Sequence, residues 1–256
     1  MIGAIAGDII GSVYEFQQIK TKEFPLFQPA CEFTDDSVLT IAVAQAILTD
    51  GDYKKSVLYF GRRFPDVSYG TSFRNWLSKK DPAPYNSWGN GAAMRVSSVG
   101  FAFETVDDVL RESARTAEFT HNHPEGIKGA QATALAVFLA RTARDKELIR
   151  SEITARFGYD LTSTINDIRP SYGFDESCQG TVPEAIVAFL DSTSFEDAVR
   201  NAVSLGGDSD TLACITGGIA EAYYGRFSPS IRQKVQDFLN PELWDIVEKF
   251  CAKYKF

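Results

Sequence analysis

The sequence predicts an all-α fold, and three observations carry that prediction. Apolar residues recur at helical spacing, as in Val38, Leu39 and Ala42, in Val109, Leu110 and Ala114, and in Leu212, Ile215 and Ile219. Prolines, glycines and Ser/Thr/Asp clusters punctuate the chain so that the loops between these patterns stay short. No stretch sustains the strict alternation of a half-buried strand.

Taken in order, residues 1–16 read as the first helix. Gly3, Gly7 and Gly11 stand four apart, so they line one face and admit a second helix at close range. Their spacing is not the G-x-G-x-x-G of a dinucleotide-binding turn. Asp8 and Glu15, seven apart, share a face of that helix, and either is placed to project toward an acidic site; for Glu15 alone, a solvent-facing charge is the plainer reading. Residues 17–32, with Pro25 and Pro29, form an irregular connection. A helix follows from Thr34 to about residue 49, with Thr34 or Asp35 as its N-cap. Residues 53–64 form another, ended before Pro65, and residues 68–78 a short one.

Residues 81–91 (Asp-Pro-Ala-Pro-Tyr-Asn-Ser-Trp-Gly-Asn-Gly) are a turn-rich loop with two exposed-type aromatics. Such a loop offers a phosphate or a base an aromatic platform and backbone N–H donors. A helix follows through Ala92, Met94 and Val96, and a further one over residues 106–119. Residues 120–126 are a polar turn holding His121 and His123, ahead of a helix over residues 127–143. The turn histidines suit substrate contact or plain turn chemistry; a metal pair at that spacing lacks a third soft ligand nearby. Residues 153–170 are less regular. Residues 178–184 feed a helix with Pro183 in its first turn. Residues 195–203 lead into the turn at Asp208, and the last helices span residues 228–238 and 241–253, with Pro229 and Pro241 in their first turns. No repeat, low-complexity run or linker divides residues 1–256, which are therefore expected to form one domain.

Composition narrows the function. A net charge of −8 argues against a nucleic-acid-binding surface. Cys31, Cys178, Cys214 and Cys251 form no C-x-x-C pair and read as reduced core residues. The first residues lack a basic region and carry Asp8 within their apolar run, unlike a secretion signal or a membrane span. A cytoplasmic location is the expectation.

Two stretches organise the chain's chemistry. One is Phe33-Thr34-Asp35-Asp36-Ser37; the other is Gly206-Gly207-Asp208-Ser209-Asp210-Thr211, with Ser209 or Asp208 as N-cap. Each is a turn opening a helix. An acidic N-cap needs no metal, because the helix macrodipole already favours it. Two such stretches, each with two Asp and a Thr, point further: four carboxylates brought together stay ionised only if cations compensate them. Asp and Thr oxygens are hard ligands suited to Mg²⁺, Mn²⁺ or Ca²⁺. With two histidines and scattered cysteines, the parts of a zinc site are missing. The two helix starts are expected to meet around divalent metal.

These stretches, together with Gly7-Asp8-Ile9-Ile10-Gly11-Ser12-Val13-Tyr14-Glu15, Gly89-Asn90-Gly91-Ala92-Ala93-Met94-Arg95 and Thr120-His121, resemble the ADP-ribosylglycohydrolase family, in its order and over nearly the whole chain. The resemblance implies a single-domain, all-α orthogonal helical fold with two Mg²⁺ or Mn²⁺ ions at its centre. It implies that Thr34, Asp35, Asp36, Asp208, Asp210 and Thr211 are metal ligands and that Glu15 approaches the metals and the substrate. It places Asn86, Ser87, Trp88 and Gly89 beside the diphosphate and distal ribose, and His121 against the ADP-ribose.

The expected activity is metal-dependent hydrolysis of the bond between ADP-ribose and an acceptor, a protein side chain or a small molecule. A metal-bound water attacks the anomeric carbon through an oxocarbenium-like state. Glu15 or Asp36 serves as general base or stabilises the cation. The acidic cluster suits a cationic acceptor such as arginine. Two other readings compete: a non-catalytic ADP-ribose-binding or structural member of the family, and a metal-dependent phosphohydrolase suggested by Asp208-x-Asp210. The last requires a hydrophobic strand before Asp208, where a helical pattern stands instead.

Overall fold

The computed structural model describes residues 1–225 and 228–254, and every regular element among them is a helix. Among the described residues the one β-type pairing is an isolated bridge between Gly89 and Ser177. The all-α expectation holds.

The architecture is built around α13 (Ser209–Tyr224), buried from Ser209 through Ala222. It is buried on all sides, and its few polar side chains, Asp210, Thr211, Thr216 and Glu221 among them, are buried with it. The wholly buried α1 (Ile2–Gly11) lies along it. Gly3, Gly7 and Gly11 form the contact: a Cβ on Gly7 would stand 1.9 Å from the Ala213 carbonyl oxygen, and one on Gly11 would stand 2.4 Å from that of Ser209. The backbones therefore touch directly, as the spacing of four predicts. α8 (Pro124–Thr142), α11 (Cys178–Leu190) and α12 (Phe195–Val203) pack on the remaining sides of α13. α2 (Asp35–Leu48) is covered by α3 (Tyr53–Arg63) and α15 (Pro241–Tyr254). α7 (Val106–Glu118) and α9 (Lys146–Phe157) flank α8, and α14 (Pro229–Phe238) rests on α1. The short α4 (Thr71–Leu77), α5 (Gly91–Met94), α6 (Ser97–Ala102) and α10 (Ile165–Ile168) complete the chain.

Side-chain caps set where helices begin. Thr34 accepts from the Asp36 N–H, Asp52 from Lys55, Thr105 from Asp108, Ser177 from Gly180 and Ser194 from Asp197. Each such cap contributes about 1 kcal/mol.

The boundaries differ from the sequence reading in several places, each for a local reason. The first helix stops at Gly11 and a 3₁₀ turn, Ser12–Tyr14, carries the chain on. Asp8 and Glu15 thus do not share one helix. Residues 91–102 form two short helices broken at Arg95 and Val96, not one. The helix expected from residue 127 begins at Pro124, whose fixed φ suits the first position, with His123 as N-cap. α9 stands where the sequence pattern shows no helix, because only Ile149 and Ile153 of it are buried. Ser177 starts α11 early, so Pro183 lies inside that helix and not in its first turn.

Candidate metal centre and substrate cleft

The starts of α2 and α13 meet. Thr211 Oγ1 donates to Asp36 Oδ1 at 3.4 Å across 175 sequence positions. Carboxylate oxygens of Glu15, Asp208 and Asp210 lie within 4.8 Å of one another. These residues, with Asp35, line a cleft of about 560 Å³.

Each acidic group is positioned by its neighbours. Thr34 is 4% exposed and stands behind the cleft, where its hydroxyl donates to Asp8 Oδ1 at 2.7 Å and accepts from the Asp36 N–H at 3.2 Å. Asp8 also accepts from the Thr34 N–H at 3.0 Å, the Ser37 N–H at 3.1 Å and the Ser37 hydroxyl. Of the two α1-region carboxylates, Asp8 thus braces the start of α2 and Glu15 joins the cluster. Asp35, half-buried, accepts from Ser68 Oγ at 3.2 Å. Asp208 Oδ2 accepts from Asn90 Nδ2 at 2.7 Å, and Asn90 also donates to Thr181 Oγ1. Gly206 and Gly207, at φ +69° and +79°, supply the backbone that side-chain-bearing residues rarely adopt, and so aim Asp208 inward. Ser209 Oγ donates to the Gly11 carbonyl at 3.0 Å, tying this turn to the end of α1.

The electrostatics of the cluster are strained. Burial, reinforced by the neighbouring Asp208, Asp35 and Asp8, pushes Glu15 up to about 7. Burial, then Asp8, pushes Asp35 up to about 7. Asp36 and Asp210 are held well above the usual carboxylate range, by burial first and then by the adjacent carboxylates. Asp36 Oδ2 and Asp210 Oδ1 are buried with no hydrogen-bond partner. Buried carboxylate oxygens without partners are costly. A set of hard oxygen donors with two such orphans fits divalent cations of the Mg²⁺ class.

The rest of the cleft is formed by the loop before α5 and the turn before α8. Asn86, Ser87, Trp88, Gly89 and His121 all line it. The Asn86 N–H donates to Asn122 Oδ1 at 2.8 Å with Asn86 at φ 56°, and the Asn90 N–H donates to the Glu176 carbonyl. Trp88 is 53% exposed and 5.8 Å from the His123 ring; Tyr85, expected as an exposed aromatic, is half-buried against His121. His123 Nδ1 accepts from the Glu125 N–H, so its role is to cap α8. His121 is buried, and burial with the nearby Arg95 guanidinium holds its imidazole well below its ordinary range. Phe174, 49% exposed, faces the same cleft. Asn90, Thr120 and Arg95 belong to the motifs that carry the resemblance, yet no site role was read for them; only the fold reveals their partners.

Comparison with known proteins places the whole chain in one family. The family model described as ADP-ribosylglycohydrolase matches residues 1–255. The chain is 27% identical over 305 residues to ADP-ribosylhydrolase ARH3 of Homo sapiens, covering 88% of this chain and 84% of that protein. It is 25% identical over 265 residues to ADP-ribosylarginine hydrolase Tri1 of Pseudomonas putida (strain GB-1), covering 88% and 69%. A solved structure described as an ADP-ribosylglycohydrolase-related protein complex superposes with a TM-score of 0.73 at 25% identity, covering 99% of this chain and 96% of that one.

Proposed function

The chain belongs to the ADP-ribosylglycohydrolase family, and from that premise we propose that it is a metal-dependent hydrolase that frees ADP-ribose from an ADP-ribosylated protein side chain, with arginine favoured as acceptor. One observation carries the metal dependence: two acidic helix starts converge at a cleft and leave buried carboxylate oxygens without partners. Asp35, Asp36, Asp208, Asp210 and Thr211, with Thr34 behind them, would hold two divalent cations, Mg²⁺ or Mn²⁺. When bound, such a pair supplies Lewis-acid polarisation and a template for vicinal hydroxyls.

The chain's own residues account for the rest. Trp88 and the Asn86–Gly89 backbone bind the diphosphate and distal ribose, and His121 contacts the ADP-ribose. Glu15 takes a proton from the attacking water as its oxygen bonds to the anomeric carbon. The bond from that carbon to the acceptor breaks, its electron pair leaves with the acceptor, and the proton is returned to the leaving group. We assign the base role to Glu15 ahead of Asp36. Glu15 follows the 3₁₀ turn and stays half-buried beside the cleft, whereas Asp36 is buried against Thr211. Asp36 then helps stabilise positive charge on the sugar. The cluster's negative charge favours a cationic leaving group, and a relative named for ADP-ribosylarginine agrees with it.

No helix among the described residues is long and apolar enough to cross a membrane. A cytoplasmic setting and a single domain over residues 1–256 belong to the same proposal. The phosphohydrolase reading needs a strand before Asp208, where α12 stands.

The test is release of free ADP-ribose from arginine-, serine- and nucleobase-linked substrates, with and without EDTA. Metal-dependent release, fastest from arginine, is expected. Activity that survives complete metal removal refutes the metal role. Tight ADP-ribose binding without turnover on any linkage identifies a non-catalytic binder.

A further inference from the structure

Behind the cleft lies a chain of polar contacts that the proposed hydrolysis does not itself call for. Arg95 is 0% exposed. Its Nη2 donates to Thr120 Oγ1 at 2.7 Å and to the Thr116 carbonyl at 2.8 Å. Thr120 Oγ1 in turn lies 2.8 Å from His121 Nδ1. A guanidinium only donates, so Thr120 accepts there and keeps one proton of its own to give. Two acceptors compete for it. The Ala117 carbonyl is 3.4 Å away and already accepts from the Thr120 N–H at 3.0 Å and the His121 N–H at 2.7 Å. His121 Nδ1 is nearer and has no such claims on it. The hydroxyl proton therefore goes to Nδ1, and a neutral imidazole that accepts at Nδ1 carries its hydrogen on Nε2. Nε2 is the nitrogen that faces the cleft-lining glycines: a Cβ on Gly91 would stand 3.1 Å from it, and one on Gly89 3.5 Å.

We infer that Arg95 and Thr120 are positioning residues that lock His121 as the Nε2–H tautomer, so that the cleft always presents a hydrogen-bond donor to an oxygen of the substrate's diphosphate or ribose. The substrate half of the inference rests on the ADP-ribose reading above; the tautomer half does not. The neutral ring agrees with a site in which burial and the Arg95 guanidinium both oppose a second positive charge. Arg95 itself has two further buried N–H groups, Nε and Nη1, without partners, and packs 5.1 Å over the Phe119 ring, so its orientation is held by Thr116, Thr120 and that ring.

The experiment is long-range ¹H–¹⁵N correlation of the histidine ring in the whole protein, with ADP-ribose affinity measured by calorimetry. The wild type should show a protonated Nε2 and an unprotonated, hydrogen-bonded Nδ1. Thr120→Ser should keep that pattern and the affinity. Thr120→Val should give a mixture of tautomers and bind ADP-ribose about three- to tenfold more weakly, the worth of one oriented hydrogen bond. A wild-type ring protonated at Nδ1 overturns the lock, and needs no variant to fold. Thr120→Val with a mixed tautomer and unchanged affinity overturns the donor role. A protein with the expected tautomer that does not bind ADP-ribose at all supports the lock and refutes the ADP-ribose reading instead.

Discussion

Asp36 and Thr211 touch across the centre of the molecule, the threonine hydroxyl donating to the carboxylate at 3.4 Å. The contact joins two segments that are each an ordinary helix start when taken alone. What it creates is a buried group of like charges with too few donors to satisfy it. Divalent cations, as proposed above, would answer that deficit, and the consequences are measurable.

Removing one of the orphaned charges should help the metal-free protein and harm the loaded one. Asp210→Asn removes a carboxylate held well above its ordinary range by burial and its neighbours, and should raise stability in EDTA, because one like charge leaves the buried cluster. Saturating Mg²⁺ should then stabilise the wild type by about 2.7 kcal/mol per bound ion at a hundredfold excess over its dissociation constant, and the variant much less. Denaturant titration with and without Mg²⁺ decides it. A variant that is less stable in EDTA and still gains fully from Mg²⁺ would reject Asp210 as a ligand.

The metal-free protein should lose stability as pH rises from about 4 to about 7. Asp8 sits at about 6 in the fold against an ordinary 3.8, Asp35 at about 7 against 3.8, and Glu15 at about 7 against 4.5. Burial is the first cause in each case. Between the unfolded and folded values the native state holds more protons, so stability falls with pH across that window. Asp8 alone is worth on the order of 2–3 kcal/mol. Denaturation curves in EDTA at pH 4.5, 6 and 8 check the sign; stability that increases over this range contradicts it. Mg²⁺ should flatten the slope.

The glycine face of α1 should tolerate no methyl group. Gly7→Ala would place a Cβ 1.9 Å from the Ala213 carbonyl oxygen, and should cost about 3 kcal/mol or more, the upper range for overpacking a core. Gly70, at φ −61° with nothing within 4 Å of an added Cβ, is the control: Gly70→Ala should stay within about 0.5 kcal/mol of wild type. Equal melting temperatures for the two variants would show that α1 and α13 do not meet in this way.

Asn90 should matter to the metals without touching the substrate's acceptor. Its amide donates to Asp208 at 2.7 Å and to Thr181 at 3.1 Å. Asn90→Ala leaves Asp208 unoriented, and supporting residues of this kind typically change metal affinity by about 10–100-fold. Mn²⁺ calorimetry reads this directly; an unchanged dissociation constant would free Asp208 from the need for such support.

The parts of this design that are local could be read from the sequence. Thr34 as a cap, the Gly3–Gly7–Gly11 face and the turn before Asp208 each follow from spacing within a few residues. The parts that depend on distant partners could not. Glu15 reaches the acidic cluster because a 3₁₀ turn replaces the helix after Gly11, a change that periodicity does not encode. Asn90, Arg95 and Thr120 look like ordinary polar residues until the fold supplies Asp208, Thr120 and His121 as their partners. α9 was hidden for a different reason: its buried stripe is two isoleucines among charged neighbours, and its cap, Asp145, is an exposed aspartate like many others.

Within α1, Asp8 binds the opening turn of α2 and, three residues on, the Gly11 carbonyl receives the Ser209 hydroxyl. One turn of a helix that donates none of the proposed ligands thus works as a caliper, setting the gap between the two halves of the centre. Segments between positions 36 and 208 can lengthen, shorten or acquire new loops for new substrates while that gap stays constant, because the part that measures it lies outside them.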